Sequence, residues 1–185
     1  MGLFNLFRRD TGRQDAAYGL YNAIVRQARR PGFYLAWGVP DTVDGRFDMI
    51  AIHAHLVLRR LRRDHAATKD LAQALFDLMF ADMDVNLREL GVGDMGMAKR
   101  IRKMAEGFFG RIAAYDRGLD EDPAGLRDSL HRNLFKTVES TDDQAERVAD
   151  YMRATDALLA AQALDDLTAG RVAFPDAPPA PESPS

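Results

Sequence analysis

Three groups of residues could carry chemistry in this chain. His53 and His55 are the first, but two positions apart on a helix they point roughly 200° from each other, so they cannot share a metal. His55 is expected to join Asp48 and Arg59 in a polar cluster, while His65 and His131 read as surface residues. The second is Asp82-Met-Asp84-Val-Asn86, which begins like a calcium loop. Leu87 stands where the turn requires glycine, no glutamate closes the loop, and the segment lies within a helical pattern, so a solvated face is the better reading. The third is basic. Arg59, Arg60, Arg62 and Arg63 close one helix; Lys99, Arg100, Arg102 and Lys103 open the basic side of another, where Arg100, Lys103 and Arg111 align in a stripe broken by Gly107. Such patches bind RNA or anionic lipid in many proteins, and equally suit the negative C-terminal end of a helix. No phosphate loop, nucleophile elbow or zinc-protease motif is present. No cofactor and no metal are expected.

These residues are carried by helices. Tyr18, Tyr21, Ile24, Val25 and Ala28 recur at spacings of three and four, predicting a helix over 16–30 that Pro31-Gly32 ends. A second helix, over 45–63 with Asp44 as its cap, is apolar almost all round, as suits the middle of a bundle. A third spans 68–90, with Leu71, Leu75, Met79 and Met83 facing inward, and Gly91-Val-Gly93 stops it. A fourth follows from Asp94, with Met97, Ile101, Met104, Phe108, Ile112 and Tyr115 on one stripe. Asp122-Pro123 opens a short helix to 135, and Thr141-Asp-Asp-Gln144 is a capping box for a helix through 166. Neither a strand of period two nor a fixed repeat is visible. The fold class is therefore all-α, a single compact bundle of about six to seven helices over 14–170. An N-terminal arm over 1–13 precedes it, and a Pro-rich tail over 171–185 reads as disordered.

At 185 residues and without cysteine, the chain holds one core and neither a disulfide nor a thiolate metal site. The first nine residues lack the apolar core and cleavage site of a signal peptide, and no apolar run is long enough to cross a membrane. Charge is polarised. Residues 1–63 carry eleven arginines against five aspartates, net +6, while residues 116–185 carry seven basic against fifteen acidic side chains, net −8. The two ends therefore either dock on each other or leave a basic face for an anionic partner.

The segment Phe33 to Phe47 holds the only tryptophan and an aromatic cluster within a turn-rich connection. Its Phe47 end enters the second helix and belongs to the core. Its Phe33, Tyr34, Trp37 and Val39 half is the candidate binding face, set against Gly91, Val92, Gly93 and Met95 as a groove. Methionine suits such a groove through its adaptable thioether. Arg59, Arg60, Arg63, Lys99, Arg100, Lys103 and Arg111 are the candidate basic partner surface.

Long motifs in this order resemble a known family. They are Ile24-Val-Arg-Gln-Ala-Arg29, Phe33-Tyr, Gly38-Val-Pro-Asp-Thr-Val-Asp-Gly-Arg-Phe47, Leu56-Val-Leu-Arg-Arg-Leu61, Asp82-Met-Asp84, Arg88-Glu-Leu-Gly-Val-Gly-Asp94 and Lys103-Met-Ala-Glu-Gly-Phe-Phe-Gly-Arg111. Together they resemble the ubiquinol–cytochrome c chaperone family over about residues 18–165. The resemblance implies a non-enzymatic assembly factor for the cytochrome bc complex, respiratory complex III. Mitochondrial members receive newly made cytochrome b at the ribosomal exit tunnel with a small partner protein. The short start of this chain resembles instead a bacterial member working on the cytoplasmic face of the inner membrane. Implied partners are cytochrome b or an early assembly intermediate, with the ribosome and an anionic membrane surface as further ones, and no DNA. Two alternatives stay open beside it: an RNA- or ribosome-binding helical module using the basic patches, and a small all-α metal-dependent enzyme using Asp77, Asp82, Asp84 or His55.

Overall fold

The computed structural model describes the backbone over residues 3–89 and 94–181, and side chains over 11–85 and 105–181. Eight helices are described: α1 (Leu3–Ala28), α2 (Pro31–Leu35), α3 (Val43–Arg63), α4 (His65–Glu89), α5 (Asp94–Asp120), α6 (Pro123–Asn133), α7 (Asp142–Ala161) and α8 (Leu164–Thr168). The architecture is all-α, as the sequence predicts. Helix α1 starts earlier than its apolar repeat does, so residues 3–13 belong to it instead of forming a separate arm.

Helix ends follow local chemistry. Pro31 stands in the first turn of α2, where a missing N–H costs nothing. Thr42, not Asp44, caps α3, because its hydroxyl accepts from the Gly45 N–H at 3.1 Å while Asp44 lies inside the first turn. Asp122 caps α6 and the Thr141–Gln144 box caps α7, both as the sequence predicts. Helix α7 stops at Ala161, and the expected continuation to 166 is broken into the short α8.

Helix α3 forms the axis. Met49, Ala51, Ile52, Ala54, Leu56, Val57 and Leu61 are buried on it, and its neighbours are α1, α4 and α7. Cross-links give the directions. Arg13 to Asp70 and Tyr21 to Asp82 show α1 and α4 running side by side in the same sense. His53 to Tyr151 and Arg60 to Leu159 show the same for α3 and α7. Helices α5 and α6 fold back on each other at Gly118, where an added Cβ would stand 2.6 Å from that of Leu126.

The C-terminal segment needs a correction. Residues 171–181 contain no helix or strand, in keeping with their prolines. They do not trail away, however: Val172, Phe174 and Ala177 lie half-buried against the core. Three apolar side chains in seven residues give the segment a reason to dock that its proline content hides.

His53 is the polar centre of this core. Its Nδ1 lies 2.8 Å from the Met49 carbonyl and its Nε2 2.9 Å from the Tyr151 hydroxyl. Nδ1–H therefore donates to the carbonyl, and Nε2 accepts from Tyr151. Burial pushes the imidazole down from 6.5 to about 4. Below pH 6.5 the unfolded chain takes up a proton that the folded chain refuses, so stability falls as pH falls. This contributes about 3 kcal/mol of loss between pH 7 and pH 4. Urea unfolding across that range should show His53→Gln losing about 3 kcal/mol less than the parent; equal losses would show that His53 does not stay neutral.

Candidate functional site

The Phe33–Val39 face is mostly interior. Phe33 and Val39 are buried, and Phe33 meets the rings of Trp37, His53 and Tyr151 edge-on with centroids 5.0–5.7 Å apart. Trp37 is half-buried and also meets Tyr151, at 5.9 Å. Tyr34 gives its hydroxyl hydrogen to the Ala28 carbonyl at 2.7 Å. Phe33 and Val39 thus leave the candidate binding face: aromatic pairs gain most where edges meet faces, and here four rings do so inside the bundle. The other half of the expected groove, Gly91, Val92, Gly93 and the Met95 side chain, lies outside the described residues.

The basic helix end is also neutralised from within. Arg59 donates through Nη1 to Asp116 at 2.9 Å, through Nε to Asp156 at 3.0 Å, and to Asp120. These bonds, led by the one to Asp120, hold its guanidinium above its ordinary value. Arg62 reaches Asp116 at 2.9 Å and Arg63 reaches Asp156 at 3.0 Å. Arg60 is buried and donates to the Leu159 and Gln162 carbonyls and to Asp64. Arg111 pairs with the buried Asp48, which Lys136 approaches to 3.3 Å; burial still pushes the Asp48 carboxyl up, against the pull of both cations. Arg59, Arg60 and Arg111 are therefore largely internal struts, while Arg63 pairs with Asp156 from the surface and stays open to solvent. The basic front of the chain docks on its acidic back. Lys99, Arg100 and Lys103 carry side chains outside the described residues.

His55 joins a polar cluster, but with Asp116 instead of Asp48: its Nε2 lies 3.5 Å from Asp116 Oδ1 and has no hydrogen-bond partner. Burial pushes it down to about 4 despite that carboxylate. The carboxylates named for an enzyme are also engaged, Asp82 by the Tyr21 hydroxyl at 2.7 Å and Asp77 by the Gln73 amide at 2.7 Å.

What remains open to solvent lies between α3, α4 and α5. A cleft of about 300 Å³ has Leu58, Ala72, Phe76, Phe109 and Ile112 among its lining, together with His65 and the Lys69 ammonium. At its edge Phe109 is 57% exposed and stacks on Phe76 at 5.4 Å, 28° from parallel. Phe76 in turn meets Phe80 and Phe108. An exposed phenylalanine backed by three more rings is an unusual thing for a closed bundle to leave in water. Sequence reading missed Phe76, Phe80 and Phe109. The signal was available: Phe76 and Phe80 are one turn apart, and of the doublet Phe108-Phe109 only one ring can face the core.

A family model described as ubiquinol–cytochrome c chaperone matches residues 35–174. The chain belongs to this family. The family span takes in the aromatic connection from Leu35 onward, the Arg59 struts, the phenylalanine cleft and the start of the docked C-terminal segment. Ubiquinol–cytochrome c reductase complex assembly factor 1 of mouse is 26% identical over 138 residues, covering 75% of this chain and 47% of the mouse protein. The Xenopus laevis counterpart is 25% identical, covering 75% and 69%. The chain thus spans about half the length of the mouse relative. A solved structure, the Cbp3 homolog from Brucella abortus, is 35% identical with a TM-score of 0.83, covering 94% of this chain and 97% of that one.

The struts make a direct prediction. The Arg59 side chain is 12% exposed and Asp120 52%, so solvent screens part of the attraction. Arg59→Ala should cost on the order of 2 kcal/mol in urea unfolding, because Asp116 and Asp156 stay partly buried with less charge to meet them. Arg59→Lys should recover little, since one ammonium cannot span three carboxylates. A loss under about 0.5 kcal/mol would place the network among ordinary surface ion pairs.

Proposed function

We propose that the protein is a non-enzymatic assembly chaperone that holds newly made cytochrome b and promotes assembly of the cytochrome bc complex. The observation that carries this reading is the exposed Phe109–Phe76 stack at the mouth of the α3–α4–α5 cleft in a chain of this family. The related mouse and frog proteins are assembly factors of that complex by name. Transmembrane segments not yet paired with their neighbours need apolar cover outside the lipid, and an aromatic ledge supplies it without committing to a sequence. Lys69 beside it suits an acidic loop flanking such a segment. In this reading the client surface lies on α4 and α5, and of the aromatic connection only the exposed Leu35 and the half-buried Tyr34 and Trp37 contribute.

The site of action follows from the client. No helix among the described residues is long and apolar enough to cross a membrane. Peripheral work on the cytoplasmic face of the inner membrane, where cytochrome b inserts, is the consistent placement, with the ribosome as the source of the client.

Phe109→Ser tests the reading. Losing the solvent-facing part of one phenylalanine contact should weaken capture of newly made cytochrome b by about five- to thirtyfold, from roughly 1–2 kcal/mol of apolar burial. Fold stability should change by less than about 1 kcal/mol, because the ring is mostly outside the core. Pull-down from cells carrying the variant measures this. Unchanged capture, combined with loss of capture in a folded Tyr34→Ala, Trp37→Ala variant, would return the client site to the aromatic connection.

A further inference from the structure

Residues 171–178 of the chain lie in a groove on its own surface. It is bordered by α1, α2, α3 and the end of α7. The occupant has neither helix nor strand, and two glutamines of the body bind its backbone. Gln162 Nε2 donates to the Ala173 carbonyl at 2.8 Å, while the Ala173 N–H donates to Gln162 Oε1 at 3.0 Å. Gln27 Nε2 donates to the Pro175 carbonyl at 2.9 Å and lies 3.0 Å from the Tyr151 hydroxyl beneath. Val172 and Phe174, alternate residues, lie half-buried, with the Phe174 ring edge-on to His53 at 5.3 Å.

Glycines mark both ends. An added Cβ at Gly19 would stand 2.6 Å from the Gly170 carbonyl oxygen, and one at Gly32 would overlap that of Pro178. The body has therefore kept two positions bare so that a second backbone can lie on it. Among the described residues, the one ion pair of the segment is at its start, between Arg171 and Asp166 of α8; from Val172 onward no charged group of the body pairs with it, and Asp176 is exposed. Main-chain clamps plus alternate apolar sockets form the general mode by which proteins bind extended peptides of varied sequence. Every hydrogen bond named here could be made by another chain's backbone.

We infer that this groove is a peptide-binding site closed in cis by the C-terminal strap, and that it accepts in trans an extended segment of a partner protein. That segment carries two apolar side chains at alternate positions next to a proline and requires no charge. A tethered strap competes at an effective concentration of about millimolar, so the partner must either exceed it or meet a strap already lifted. Lifting it removes the Phe174 ring from His53. This site is separate from the Phe109 cleft, and stands whether or not that cleft holds the client.

The test uses the full chain and a fluorescent peptide of residues 170–177. Gly32→Ala puts a methyl group where Pro178 lies, lifting the strap while leaving Gln27, Gln162 and His53 in place. By fluorescence anisotropy it should bind the peptide at least tenfold more tightly than the parent chain. A peptide with Phe174→Ser should not bind, and one with Asp176→Asn should bind as well as the parent peptide. Should Gly32→Ala lose helical content, Val172→Ser, Phe174→Ser in the full chain lifts the strap from its other side. Equal binding by the parent and a folded, strap-lifted variant would overturn the proposal. So would concentration-dependent dimers of such a variant, which would give the groove to a second copy.

Discussion

Helix α3 is enclosed along most of its length, and most of the polar groups it buries are met by a neighbouring element. Asp48 draws Arg111 from α5 and Lys136 from beyond α6. His53 draws Tyr151 from α7. Arg59 draws Asp116 and Asp120 from α5 and Asp156 from α7, and Arg60 draws the carbonyls that end α7. An apolar helix of this kind could slide or turn against its neighbours at little cost. Buried charges cannot, because leaving one unpaired costs several times what the pair itself contributes. The polar residues of α3 thus act as pegs that set the register of α5 and α7 around it.

That arrangement gives the polarised charge of the chain an internal use, since Arg59, Arg62 and Arg63 meet carboxylates of α5 and α7. Basic residues near the front and acidic ones near the back lie 50 to 100 positions apart, and folding brings them together. The surface left over is less charged than the sequence suggests, and it is there that an unsatisfied aromatic group stands out. Among the described residues, Phe109 on Phe76 is the exposed phenylalanine, and it differs from isolated exposed side chains such as Leu35 in being backed by further rings.

Much of the fold was legible because its signals are local. Apolar spacing fixed the long helices, the Asp122-Pro123 pair and the Thr141–Gln144 box fixed two starts, and the all-round apolar character of 45–63 announced a central helix. The cap of α3 was misassigned because Thr42 and Asp44 are both competent caps, and only the backbone turn decides between them. What was not legible is long-range. Nothing near Arg59 in sequence names Asp116 or Asp156 as its partners, and nothing near Phe33 shows that Tyr151 and His53 will close over it. Proline content concealed the docked strap, since composition reports the cost of ordering a segment and not the groove that offsets it.

The central claim is that a chaperone of this family holds nascent cytochrome b on the α4–α5 aromatic ledge. Site-specific photocrosslinking in growing cells tests it most directly, with a photoreactive phenylalanine at position 109 and, as a control, at the exposed Val138 between α6 and α7. The account predicts a crosslink from 109 to newly made cytochrome b that disappears as the cytochrome bc complex matures, with none from 138. A crosslink from 138 but not from 109, or no cytochrome b adduct from either, would contradict it.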